Sequence, residues 1–300
     1  MSLEADLIVD RARMKRRLTR WRVLAVVAIA VAVGLAVGVK GFGSRQHVAR
    51  LAISGMITDD REVTEALGKL AQDSSARALI VAIDSPGGTV SGGEALHNAI
   101  ARVAEKKPVV AVMAGTAASA GYMIAMPANR VFAREGTLTG SIGVIMQTFE
   151  VSRLMAMVGI ASESLVSGAL KDQPSPFHPT SEEGRAVLSG IVADLHAQFV
   201  ARVAAGRHME EAAVRALADG RAMTGRQALS AGLVDAIGGE AEARAWLAAE
   251  KGVAETLPVR PVAEPDAVGG LFSGAVSSAQ RALAAAWLRL DLPLALWQPR

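Results

Sequence analysis

Val23 to Val39 is an apolar run of 17 residues without one polar side chain. As a helix rising ~1.5 Å per residue it spans about 25 Å, near the minimum for crossing a bilayer. The pattern then changes to short apolar runs alternating with stretches of helical period. His47–Gly55 alternates as a strand, and Asp59–Leu70 places Val63, Leu67 and Leu70 at helical spacing behind an Asp cap. Ala78–Ile83 is continuously apolar, as expected of a central parallel strand covered on both faces. It is expected to stop at Asp84-Ser85-Pro86-Gly87-Gly88, a turn that exposes backbone amides. Ser91–Glu105 reads as a helix, Pro108–Ala114 as a second buried strand and Arg130–Ala133 as a short one. Ser119 is expected to open a helix reaching about Ala128. This alternation predicts an α/β fold with right-handed crossovers.

Farther on, Thr139–Val144 is a Gly-bounded turn, Leu154–Val158 a short helix and Ala161–Val166 a strand. Lys171 follows in a loop that runs through Pro174, Pro176 and Pro179. Thr180–Glu183 has capping-box spacing and starts a helix with Leu188, Ile191, Val192, Leu195, Phe199 and Val203 on one face, closed by Gly206. Met209–Leu217 is a further helix. Asp219–Gly239 reads as turn, short helix and strand, and a last helix runs to about Glu250. Beyond Gly252, Pro258, Pro261 and Pro265 mark an irregular stretch. Leu271–Leu296 then admits a surface amphipathic helix, an oligomer contact or a poorly ordered end. The expected divisions are a basic tail (1–22), an anchor (23–39), a linker (40–46), one large domain (47–252) and a C-terminal tail (253–300).

Charge changes the picture only at the N-terminus. Residues 1–40 hold eight Lys and Arg against three acids, whereas the rest hold 24 against 26. The basicity is a local tail and not a basic face, which argues against nucleic-acid binding. Under the positive-inside rule the cluster from Arg11 to Arg22 stays cytoplasmic and everything after Lys40 is exported, with Trp21 at the interface. A cleaved signal peptide is the rival reading, because Ala36-Val37-Gly38 offers small residues at cleavage spacing. The apolar run is longer than the usual ~7–15 residues, which favours an uncleaved anchor. The chain has no cysteine, which removes disulfides, thiolate catalysis and Cys-ligated zinc.

The candidate chemistry lies in Thr116–Tyr122, a small-residue turn with Ser119 at its centre. A serine hydroxyl attacks only when a base takes its proton. None of the five histidines lies in a sequence setting that points to a triad. A lysine serves instead if its amine is neutral, which burial in apolar surroundings favours. Lys171, between Gly168-Ala169-Leu170 and the proline run, is expected on a partly buried loop, with Asp172 opposing its neutral form if that carboxylate turns inward. Amides at Gly87-Gly88 and Ala120 are suited to holding an oxyanion. Each residue also has a plain reading: Ser119 as a helix N-cap, Lys171 as a solvated loop cation, Asp84 as a turn cap. The glycines at 87–93 lack the GKS/T ending of a phosphate loop.

Five motifs occur in order: Asp84–Gly88, Ala117–Tyr122, Leu138–Val144, Ser167–Asp172, and Asp219-Gly-Arg through Gly232–Asp235. Together, over roughly Val48–Glu250, they resemble the bacterial signal peptide peptidase A family of membrane-anchored Ser-Lys proteases. The resemblance implies a Clp-protease/crotonase-like α/β domain, with Ser119 as nucleophile, Lys171 as general base and Ser141 as a second serine bonded to that lysine. It implies oxyanion amides at Gly88 and Ala120, and neither cofactor nor metal. It also implies a single-pass inner-membrane protein with its domain on the extracytoplasmic side, degrading signal-peptide remnants. In the family, Ser and Lys meet across a junction between repeated domains. This chain carries one copy of the motif set, so the resemblance implies a homo-oligomeric ring. Rival readings are a related protease with one dedicated membrane-protein substrate, a crotonase-type acyl-CoA enzyme and an inactive membrane scaffold.

Overall fold

A computed structural model describes residues 20–28 and 46–262. Residues 20–28 form a helix, α1, with exposed side chains including Trp21 and Val23. The remainder of the expected anchor and the segment Leu271–Leu296 lie outside the described residues.

The domain is built on one eight-stranded sheet. β1 (His47–Ile57), β2 (Ala76–Gly88) and β3 (Val109–Ala118) are its long strands. β4 (Arg130–Ala133), β5 (Leu138–Gly140), β6 (Ala222–Thr224), β7 (Ala236–Ile237) and β8 (Val259–Pro261) are short. The order is β6-β5-β3-β2-β1-β8, with β4 and β7 branching from β3. β2 and β3 pair in parallel, which fits their nearly unbroken apolar sequences: Leu79, Ile80, Val109, Val110 and Ala111 are wholly buried. The helices α2 (Arg61–Gln72), α3 (Val90–Ala104), α6 (Glu182–Arg207) and α9 (Glu240–Lys251) provide much of the covering; α5 (Ser152–Met157), α7 (Glu211–Leu217) and α8 (Gly225–Ser230) are shorter. Leu67, Ile100, Phe199, Val203 and Leu247 fill the two core layers on the sheet.

Several boundaries differ from expectation. β2 does not stop before Asp84 but runs on to Gly88 through a register shift between Ile83 and Ser85. Asp84 caps this irregularity, its Oδ1 accepting from Thr116 N–H at 3.0 Å, which is the plain reading of that residue. The helix after Ser119 is a single turn, α4 (Ala120–Met123). Ala161–Val166 is not a strand, because among the described residues no neighbouring strand reaches its exposed segment. The N-cap of α6 is Ser181, accepting from Gly184 N–H at 2.9 Å, and Thr180 with Glu183 forms no capping box. Gly206 does not close α6 either. His208 does, in the left-handed conformation, while Gly206 lies inside the helix where a Cβ would sit 2.6 Å from the Met126 carbonyl oxygen. The proline-rich stretch past Gly252 yields β8, parallel to β1 from Val48↔Val259 to Arg50↔Pro261. An edge strand tolerates proline because one row of its N–H groups has no partner.

Among the described residues α6 is the one helix long and apolar enough to cross a membrane. Its C-terminal part packs into the domain through Phe199, Val200 and Val203, whereas Val187 and Ile191 near its start are exposed.

The end of α6 is tied to the sheet by an ion pair. Arg207 donates to both oxygens of Asp235, at 3.0 and 2.6 Å, and Asp235 also accepts from Val131 N–H at 2.7 Å. Burial would raise the Asp235 pKa, but the Arg207 and Val131 hydrogen bonds and the guanidinium charge hold it below its ordinary value. A depressed carboxyl contributes stability that is full above its unfolded value of 3.8 and is lost as pH falls through the lower folded value. Asp235→Ala, which strands a guanidinium only 8% exposed, is expected to lower unfolding free energy by about 3 kcal/mol at neutral pH. The difference from the parent should shrink below the ordinary carboxyl pKa, as urea titrations at both pH values will read.

Candidate active site

Ser119 ends β3 and precedes α4, at φ 54° and ψ −122°. This left-handed region is one that side chains rarely adopt, and holding a serine there is worth about 1–3 kcal/mol of strain. The position is that of an N-cap, yet the hydroxyl makes no cap hydrogen bond. The helix-cap reading therefore loses its mechanism, and the half-buried side chain is left with another use.

Two neighbours fix the turn. Ser119 N–H donates to the Gly140 carbonyl at 3.0 Å, continuing the parallel β3–β5 register in which Ala118 faces Gly140. Ser141 immediately follows β5 as Ser119 follows β3, so the two serines leave adjacent strands at matching positions. Both have positive φ, 48° at Ser141. Ser141 N–H donates at 2.9 Å to the Arg221 carbonyl. That carbonyl belongs to a turn held by Asp219, which accepts from Arg221 N–H and from its guanidinium. The Arg221 side chain, followed by its backbone N–H, pulls the Asp219 pKa down to about 2.

The glycine turn arrives from β2. A Cβ on Gly87, at φ +118°, would sit 2.8 Å from Ser119 Cβ, so the Gly87 backbone lies directly against the serine. A Cβ on Gly88 would sit 1.9 Å from the Ile57 carbonyl oxygen, so this glycine admits the end of β1. Ser85, wholly buried, holds the turn: its hydroxyl donates to Gly55 O at 2.6 Å and accepts from Gly87 N–H at 3.1 Å. Sequence reasoning passed over Ser85 as a positioning residue. The signal was a small hydroxyl inside a turn otherwise made of Pro and Gly. Ala120, buried, begins α4, where an amide has no partner within the helix.

Lys171 lies on the loop before α6. The residue itself is exposed at the end of the exposed stretch 161–171, whereas Asp172, Gln173 and Pro176 after it are half-buried and Ser175 is buried, so the loop is partly buried beyond the lysine and not at it. Among the described residues no hydrogen bond joins Lys171 to Ser119 or Ser141. Ile145, Phe149, Met157 and Leu165 on this segment are 75–95% exposed, a large apolar surface for a single chain. Asp172 does not turn toward the lysine amine; it accepts from His178 Nε2 at 2.9 Å. A cleft of about 1150 Å³ opens between Gly143–Thr148, α6 and Asp219–Gly220, beside Ser141. No group of three or more His, Cys, Asp or Glu among the described residues is placed to hold a metal.

The Clp protease profile matches residues 47–142, and the mostly parallel sheet with its covering helices is a Clp-protease-like α/β domain. The Peptidase family S49 profile matches residues 101–254, and the chain belongs to that family. A candidate protease of Synechocystis sp. is 39% identical over 212 residues, covering 70% of this chain and 76% of that protein. A candidate signal peptide peptidase SppA of Enterococcus faecium is 35% identical over 223 residues, 69% of this chain and 64% of its own. The chloroplastic serine protease SPPA of Arabidopsis thaliana is 32% identical over 193 residues, 63% of this chain but 28% of its own length.

Proposed function

We propose that this peptidase is a serine endopeptidase in which Ser119 attacks the scissile carbonyl and Lys171 of a neighbouring copy is its general base. The observation that carries the reading is the strained, uncapped Ser119 packed against the Gly87 backbone. Strain of this kind is retained where the surrounding structure aims a side chain for use. In the proposed mechanism Lys171, neutral, takes the hydroxyl proton as Oγ bonds to the carbonyl carbon. The amides of Gly88 and Ala120 receive the oxyanion, and the lysine returns its proton to the leaving amine. Ser141 holds the lysine amine toward Ser119 by accepting one of its protons. Water then hydrolyses the ester.

The substrates proposed are hydrophobic peptides, signal-peptide remnants among them, cut on the extracytoplasmic side of the inner membrane by a chain anchored through residues 23–39. Exposure of Lys171, and of the apolar segment before it, supports a site completed by a second copy. Mixing Ser119→Ala with Lys171→Ala protomers tests this directly. Neither variant alone is expected to cleave a fluorogenic hydrophobic peptide. Mixed assemblies should recover up to about a quarter of the parent rate if each site takes one residue from each of two protomers at random. Silent mixtures that form stable assemblies would sink the shared site.

A further inference from the structure

The loop that carries Lys171 holds a built contact that peptide cleavage by Ser and Lys does not use. Asp172, the next residue, accepts from His178 Nε2 at 2.9 Å, while His178 Nδ1 lies 3.3 Å from the Pro179 carbonyl oxygen. The hydroxyls of Ser164 and Ser175 approach the same carboxylate. A carboxylate and a carbonyl only accept. Both contacts can therefore be hydrogen bonds at once only when the imidazole carries two protons; a neutral ring keeps one and loses the other. The rest of the loop is fastened independently, with Ser181 N–H donating to Gln173 Oε1 at 3.1 Å and Val151 N–H to the Pro176 carbonyl at 2.8 Å. Before Lys171, by contrast, residues 161–170 are all exposed. The side-chain anchor nearest the lysine is thus Asp172.

We propose that His178 is a positioning residue for Lys171, acting through Asp172 as a clamp that is fully closed only while both imidazole nitrogens are protonated. This rests on the reading of Lys171 as general base. The charged groups around the ring agree with a protonated state. Asp172 and Glu150 both face His178, and Arg153 stands beside Glu150. The Asp172 hydrogen bond, followed by the Pro179 carbonyl, raises the His178 pKa above 6.5 against the effect of desolvation. A raised pKa means that the second bond is present below it and is lost as pH rises through it. The clamp thus loosens as pH rises through the His178 value.

The test is the rate at which a serine-reactive phosphonate labels Ser119 in the full chain, taken as variant over parent at each pH so that effects of pH common to both cancel. His178→Ala should label about tenfold more slowly than the parent near pH 6, and the gap should narrow toward about pH 9 as the parent clamp opens. His178→Gln, which still donates to Asp172 but does not titrate, should restore most of the rate, its ratio to the parent also rising with pH. Ratios that stay flat across pH, or a His178→Ala variant equal to the parent throughout, overturn the clamp while leaving the Ser-Lys reading intact. Lys171→Ala run alongside separates the two. Labelling of that variant at the parent rate overturns the base assignment, and the clamp with it. Melting curves establish that each variant is folded, and slow labelling of a folded Lys171→Ala together with pH-dependent His178 ratios supports both.

Discussion

Replacing Ser119 by alanine is expected to lower peptide hydrolysis by about 10⁴-fold or more while leaving the protein folded. The loss is large because the other hydroxyl of the glycine turn, Ser85, is wholly buried and engaged with Gly55 O and Gly87 N–H. Labelling by a serine-reactive phosphonate should vanish with it. Ser119→Gly adds a second readout. It too should be inactive, but it removes a side chain held at φ 54° and is expected to raise stability by about 1 kcal/mol. A merely structural serine predicts the reverse, with full activity in both variants. Retained hydrolysis in Ser119→Ala would remove this residue from the mechanism, and a destabilised Ser119→Gly would remove the strain argument.

Gly88→Ala is expected to have the largest effect on folding. Its new methyl group would sit 1.9 Å from the Ile57 carbonyl oxygen and 2.6 Å from the Ile57 amide nitrogen. Both are backbone atoms of β1, so no rotamer change relieves the clash. Either β1 moves or the β2 extension does, and overpacking of this kind costs at least about 3 kcal/mol. Gly87→Ala meets Ser119 Cβ at 2.8 Å and is also strained at φ +118°, so it should displace the nucleophile as well as the fold. Denaturant titration, with a phosphonate labelling rate measured under native conditions, distinguishes the two positions. The expectation is a strong loss of stability at 88 and a disproportionate loss of labelling at 87. A Gly88→Ala variant within half a kcal/mol of the parent, a shift typical of an ordinary surface substitution, would contradict the packing described.

Much of the scaffold is legible in the sequence because it is written in local patterns. The continuous apolar runs of β2 and β3 require cover on both faces, and that alone yields a parallel sheet with crossover helices. The Asp84–Gly88 turn and the small residues around Ser119 announce a close approach of backbones. The motif order then identifies the family that the S49 profile shows. Where local pattern failed, tertiary contact had overridden it. Ala161–Val166 has strand composition but no partner, and Pro258–Val262 lacks strand composition but gains one from β1. Asp172, which by its place in the sequence opposes a neutral neighbouring lysine, is engaged instead by His178, six residues away.

The sequence by itself determined the apolar run at 23–39, the α/β class and the residue types available for chemistry, since each depends on composition and spacing along the chain. Only the tertiary structure decided that Ser119 is uncapped and held at positive φ, that Gly87 lies against it, and that Ser141 leaves the neighbouring strand in step. These follow from register and from a bulge between strands distant in sequence, which no local periodicity encodes. The same structure leaves Lys171 exposed on its loop, because nothing among the described residues packs over the segment 161–171.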